Sequence, residues 1–185
     1  MNDAQKIDNV FLTGADCFVL ALEKHNQLQG ANGNICRYIL ELVGKLDVDA
    51  FRKKVNQNKT LQQLASFSVS RNHFFSKPKW KINSEKQIEV NLHQSDLLIP
   101  AEVLTKNFSI DKPNLFCFDI INRSNGNSCL ILSWHHLLMD GYGAVLLLKQ
   151  LNVQSKCFDK LNMTMSRQSE PVEDFSILFT DEPKV

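Results

Sequence analysis

The sequence predicts an α/β fold of the two-layer α+β kind, and three observations carry that expectation. Residues 36–43 and 115–134 hold alternating or continuous apolar runs with the period of strands. Val48, Phe51 and Val55 recur at helical spacing directly after the first of these runs, which makes a β-α unit. Asn125-Gly126 then separates two strongly apolar segments, as a β-hairpin requires.

Ala15 to Gln27 sets Phe18, Ala21 and Leu22 on one helical face and runs out in the turn formers Gln29-Gly30-Ala31-Asn32-Gly33-Asn34. Cys36, Tyr38, Leu40 and Leu42 alternate with Arg37, Ile39, Glu41 and Val43 as a strand does, and Gly44 stops it. Asp47 is placed to cap the helix that follows, with Lys53 and Lys54 turned to water. Thr60 to Phe75 reads as either class, whereas Trp80 with Ile82, and Ile88, Val90 and Leu92, mark two short strands. Pro100 to Phe108 suits one or two helical turns, and Pro113 introduces the strongest strand signal, Leu115 to Ile121. Asn125-Gly126 fits a two-residue turn with positive φ at both positions, so the hairpin delivers His135 and His136 at the end of its second strand. Asp140 is a helix cap for Ala144 to Leu151. Beyond it, Asn152 to Val185 is polar, carries Pro171 and Pro183, and reads as a linker whose one short element is Phe175 to Phe179.

The 185 residues are 43% hydrophobic and 22% charged, which suits one buried core. A formal charge of +1 gives no overall field for nucleic acid or anionic membrane. Lys77, Lys79 and Lys81 alternate along a strand and read as a solvated edge. Cys17, Cys36, Cys117, Cys129 and Cys157 are odd in number and lack Cys-x-x-Cys spacing, as free thiols in a reducing compartment would be. Acidic residues Asp3, Asp8 and Asp16 leave the N-terminus without signal-peptide character, and no apolar run reaches membrane-spanning length. The expected location is the cytoplasm.

The chemistry concentrates in Trp134-His135-His136-Leu137-Leu138-Met139-Asp140-Gly141-Tyr142-Gly143. Strand alternation sends the two imidazoles to opposite faces, so one of them can face a given cleft. An imidazole emerging from a rigid strand into a glycine turn is preorganised for general-base work, and with an ordinary pKa near ~6.5 it is largely neutral at physiological pH. The bland alternative is one core histidine beside one surface histidine.

His135-His136-Leu137-Leu138-Met139-Asp140-Gly141 is similar to the His-His-x-x-x-Asp-Gly motif of nonribosomal-peptide condensation domains and wax ester synthases, matching every fixed position. The hairpin before it, the apolar helix after it, the opening Phe11-Leu12-Thr13-Gly14-Ala15-Asp16 and the Leu46-Asp47 helix start resemble the same lobe. The resemblance implies one lobe of the chloramphenicol-acetyltransferase-like fold, a mixed sheet covered by helices, over residues 1–152, with 153–185 a linker or the start of a second lobe. It implies an acyltransferase that uses an acyl-CoA or acyl-carrier-protein thioester as donor, an alcohol or amine as acceptor, and no bound cofactor.

By the same resemblance His136 is the general base, and His135, Asp140 and Gly141 are structural at the site. Trp134, Tyr142 and Gly143 are substrate-binding candidates. Two departures stand beside this reading. Gln62 occupies the place of an arginine expected to pair with Asp140, which leaves Arg71 or Arg123 for that role. The second lobe's Asp-Phe-Gly-type motif is missing, since Asp174-Phe175-Ser176 lacks the glycine, so a partner chain or self-association is expected to complete the tunnel. His135 with Asp140 also has the His-x₄-Asp spacing of glycerol-phosphate acyltransferases, without their other blocks. A metal site on His135, His136 and Asp140 is disfavoured because opposed strand faces diverge. A non-catalytic binding or assembly module that keeps the motif as a folding element is the remaining alternative.

Overall fold

The computed structural model describes residues 10–30, 33–70, 77–84, 87–96 and 99–152. The expectations for Arg71, Cys157, residues 153–185 and the Phe175 to Phe179 segment lie outside them. Along the chain the elements are α1 (Gly14–Leu28), β1 (Ile35–Leu42), α2 (Val48–Gln57), α3 (Lys59–Ala65), β2 (Phe67–Ser70), β3 (Lys79–Ile82), β4 (Glu89–Gln94), α4 (Ala101–Leu104), β5 (Phe116–Asn122), β6 (Ser128–His135) and α5 (Gly141–Gln150). The described part of the segment that read as either class, up to Ser70, resolves into α3 followed by β2.

A mixed sheet of four strands in the order β1-β6-β5-β4 organises the molecule, antiparallel except where β4 joins β5, and β2 pairs with β3 in a separate ribbon. Every residue of β6 is buried, which its continuous apolar run requires of a central strand. One row crosses the sheet through Tyr38, Leu132, Phe118 and Val90. On this face Phe51 of α2 meets Phe118 edge-on at 5.3 Å, and the Tyr38 hydroxyl donates to the carbonyl of Gly141 in α5 at 3.0 Å. Lys54 Nζ donates to Leu151 O at 2.9 Å and ties the two helices together. On the opposite face Val103 of α4 clusters with Ile121, Cys129 and Ile131.

Phe116, Phe118, Trp134 and the Ala144 to Leu148 stretch are all buried except Leu146, and Tyr38 is half-buried. Phe51 of α2 and the start of α5 lie over this part of the face, whereas Leu92 of β4 on the same face stays exposed.

Helix α1 begins with a capping box, in which Thr13 Oγ1 accepts from Asp16 N–H and the Asp16 carboxylate accepts from Thr13 N–H. Its inward face differs from the sequence expectation. Phe18 and Leu22 are exposed, while Leu20 packs with Leu12, Val69 and Leu137, and the charged Glu23 is buried beside them.

The Asn-Gly turn also differs. Asn122 pairs with Ser128, Gly126 N–H donates to Arg123 O, and Arg123 N–H donates to Asn127 O, so the loop is Ser124-Asn125-Gly126. Only Gly126 has positive φ there, at 81°. This is the three-residue hairpin with a glycine bulge, in which one left-handed residue is enough.

Candidate active site

β6 carries the chain outward from the core and ends on His135, whose backbone N–H donates to Leu115 O at 2.8 Å. A turn follows, closed by Leu138 N–H on His135 O at 2.9 Å, and His136 N–H donates to Asn34 O at 2.9 Å. The two imidazoles occupy opposite environments. His135 is 0% exposed, whereas His136 is exposed. The Nδ1 atom of His135 accepts the Leu137 N–H at 3.1 Å, which leaves the ring proton on Nε2. That atom lies 3.2 Å from Glu23 Oε2, off the line of a hydrogen bond.

The loop after the histidines is fastened at three points. The buried indole of Trp134 donates from Nε1 to Met139 O at 2.9 Å and lies 5.1 Å from the ring of Tyr38. Asp140 is the N-cap of α5, with Oδ1 accepting from Gly143 N–H at 2.7 Å. Burial first, then the Cys36 thiol and the Asp140 carboxylate, push the Tyr38 phenol above its ordinary value, so it keeps the proton that it donates to Gly141 O. A β-carbon at Gly141 would stand 3.0 Å from the Tyr38 oxygen, and one at Gly143 would stand 3.2 Å from Asp140 Oδ1. A side chain at either glycine would oblige these neighbours to give way by a few tenths of an ångström.

Of the residues singled out in the sequence, His136, Asp140 and Tyr142 reach the surface around this turn, while Gly141 and Gly143 are half-buried. Trp134 is in the core at 2% exposure, its one polar atom already bonded. Arg123, expected as a partner of Asp140, instead sits at the hairpin end of the sheet, paired with Glu41 at 2.6 Å and bonded to Asp96 O. A strand's length separates the two ends of β6. Among the described residues no group of three or more His, Cys, Asp or Glu could hold a metal ion, and no helix is long and apolar enough to cross a membrane. The sequence did not announce Glu23 and Asn34, whose polar groups meet this turn from the α1 side.

No protein-family profile matches the chain, and no curated protein matches it by sequence. Solved structures do match. The starter condensation domain of the rhizomide synthetase RzmA, as a double mutant, aligns with a TM-score of 0.60 at 12% identity over 89% of this chain and 39% of its own. Another double mutant of that domain, in complex with C8-CoA, aligns with a TM-score of 0.61 at 12% identity, covering 76% and 34%. The first condensation domain of the calcium-dependent antibiotic synthetase, in complex with a substrate analogue, gives 0.60 at 16% identity, covering 77% and 36%. The chain has the fold of one condensation-domain lobe. It spans little more than a third of the length of those chains. Within the condensation-domain fold the mixed sheet and its helices are the part represented here, and the histidine turn lies at one end of the sheet's central strand.

Proposed function

We propose that this chain is the histidine-bearing lobe of an acyltransferase that moves an acyl group from a CoA or carrier-protein thioester to an alcohol or amine. One observation carries the reading: on a condensation-domain fold, the central strand ends in a pair of histidines, of which His135 is locked in the core and His136 is presented to solvent. In the reaction His136 takes the proton from the acceptor hydroxyl or amine as that group attacks the thioester carbonyl. The carbonyl carbon gains the new bond to oxygen or nitrogen, and the thiolate leaves and takes up a proton. Such a base contributes on the order of 10²–10⁴ in rate, and alignment of acceptor and thioester contributes further.

In this reading His135, Asp140 and Gly141 hold the turn, Tyr142 and Gly143 border the substrate, and the buried Trp134 supports the turn from the core. The thioester is a substrate and not a resident cofactor. Residues 1–152 form the lobe, a second lobe supplied by a partner chain or by another copy closes the tunnel, and the reaction belongs to the cytoplasm.

The test follows thiol release from C8-CoA, and from the same acyl group on a carrier protein, in the protein that carries this chain with its second lobe. Release that depends on an alcohol or amine acceptor supports the reading. A stable two-lobe complex that releases no thiol with either donor, over a panel of alcohols and amines, would leave a non-catalytic module.

A further inference from the structure

Glu23 is a carboxylate 6% exposed on α1, beside the apolar cluster of Leu12, Leu20, Val69 and Leu137. An apolar side chain of the same size would be cheaper to bury there, so the charge calls for a reason. Its contacts supply one. Oε2 lies 3.2 Å from Nε2 of His135, and Oε1 accepts from Gln27 Nε2 at 3.3 Å. Because Nδ1 of His135 is occupied by the Leu137 N–H, the atom that faces Glu23 is the one bearing a proton. Chain and carboxylate are also fitted closely at Gly33, which has φ +60° and where a β-carbon would stand 3.4 Å from Glu23 Oε1.

A second route runs from the same helix to the next residue. Asn34 Nδ2 donates to Val19 O at 2.8 Å, Asn26 Nδ2 donates to Asn34 Oδ1 at 3.0 Å, and the carbonyl of Asn34 receives the N–H of His136. Helix α1 thus grips His135 by its ring and His136 by its backbone.

We propose that α1 sets the direction of the His136 imidazole, with Glu23 as its positioning residue acting through His135. The inference rests on the reading of His136 as the general base. The Leu137 N–H fixes the tautomer of His135, the Glu23 carboxylate 3.2 Å from the protonated Nε2 confines the orientation of the ring by charge, and that ring anchors the turn from which His136 projects.

The test compares Glu23→Leu, Glu23→Gln and His136→Ala in the protein that carries this chain with its second lobe, by acyl-transfer kinetics and by long-range proton–nitrogen NMR of the histidine rings. Glu23→Leu is expected to lower kcat by about 10-fold or more with KM within roughly twofold, since misalignment of the base acts on turnover. Its His135 ring-nitrogen signals should shift and broaden as the ring loses its fixed orientation, while the tautomer set by the Leu137 N–H stays. Glu23→Gln, which keeps the shape and sets the partial charge of an amide oxygen opposite Nε2, should restore most of both. If Glu23→Leu does not fold, Glu23→Asp, which withdraws the carboxylate by one methylene, should show the same fall in kcat. Unchanged kcat in a folded Glu23→Leu, or equal losses in Leu and Gln variants, would overturn the positioning role. Full activity in His136→Ala would overturn the general-base reading first and the positioning role with it, so the two failures are told apart by that variant.

Discussion

The indole of Trp134 donates to the carbonyl of Met139 at 2.9 Å, so the residue two before His136 is bonded to the residue three after it. The bond closes a loop around the histidine turn from the inside of the core. Trp134→Phe keeps most of the buried ring but orphans the Met139 carbonyl, and a loss of about 1 kcal/mol is expected. Trp134→Ala also opens a cavity, with an expected loss of about 3–5 kcal/mol. Urea unfolding measures both, and an unchanged midpoint in Trp134→Phe would show that the bond does not secure the loop.

Asp140 acts on the same loop from its other end, as the N-cap of α5. Asp140→Ala should reduce stability by about 1 kcal/mol, with Asp140→Asn or Asp140→Ser retaining most of it, because these side chains also accept the Gly143 N–H. Thermal melts of the three variants make the comparison. A melt unchanged by Asp140→Ala, together with lost turnover, would place Asp140 in the chemistry instead.

The cysteines separate by environment. Cys17 is exposed, whereas burial, followed by the nearby Asp119 and Glu41 carboxylates, pushes the thiols of Cys117 and Cys129 up to about 12. Iodoacetamide at pH 8 should label Cys17 and spare Cys117 and Cys129 until the protein unfolds, as peptide mapping would show. Both buried thiols hold their protons more tightly in the folded state, where burial raises them from the ordinary thiol value of 9.0. Their contribution to stability is therefore complete below pH 9 and is lost as the pH climbs toward 12. Stability that stays level across that interval would contradict the assignment.

The parts legible in the sequence are those whose signals are local. Asp47 and Asp140 cap their helices as their positions suggest, and the alternation in β1 and the apolar run of β6 place both strands within a residue or two. What the sequence hid depends on partners far along the chain. Phe18 and Leu22 made the more obvious apolar face of α1, but both are exposed, while Leu20 and Glu23 are buried and Glu23 faces His135, more than a hundred positions away. Asp119 lies on the face of β5 covered by α4, where Asn91, His93 and Cys117 all bond its carboxylate, and an isolated acid in an apolar run gives no sign of such company. Asn125-Gly126 suits hairpins of two and three residues alike, and the pairing of Asn122 with Ser128 settles the length. In the candidate site, the motif marked the turn while leaving the grip of α1 unseen.

The two histidines can be separated by kinetics. His136 is exposed and its side chain bears no load in the core, so His136→Ala should leave the melting temperature unchanged and reduce kcat/KM for acyl transfer by at least ~100-fold in the two-lobe protein. His135 is 0% exposed, so His135→Ala should lower the melting temperature clearly and cost less in kcat/KM. Measuring kcat/KM for both variants against C8-CoA, with the melts alongside, decides the assignment. A large, stability-neutral loss confined to His136 is the predicted result. Equal losses in both variants, or a His136→Ala protein that turns over at the wild-type rate, would contradict it.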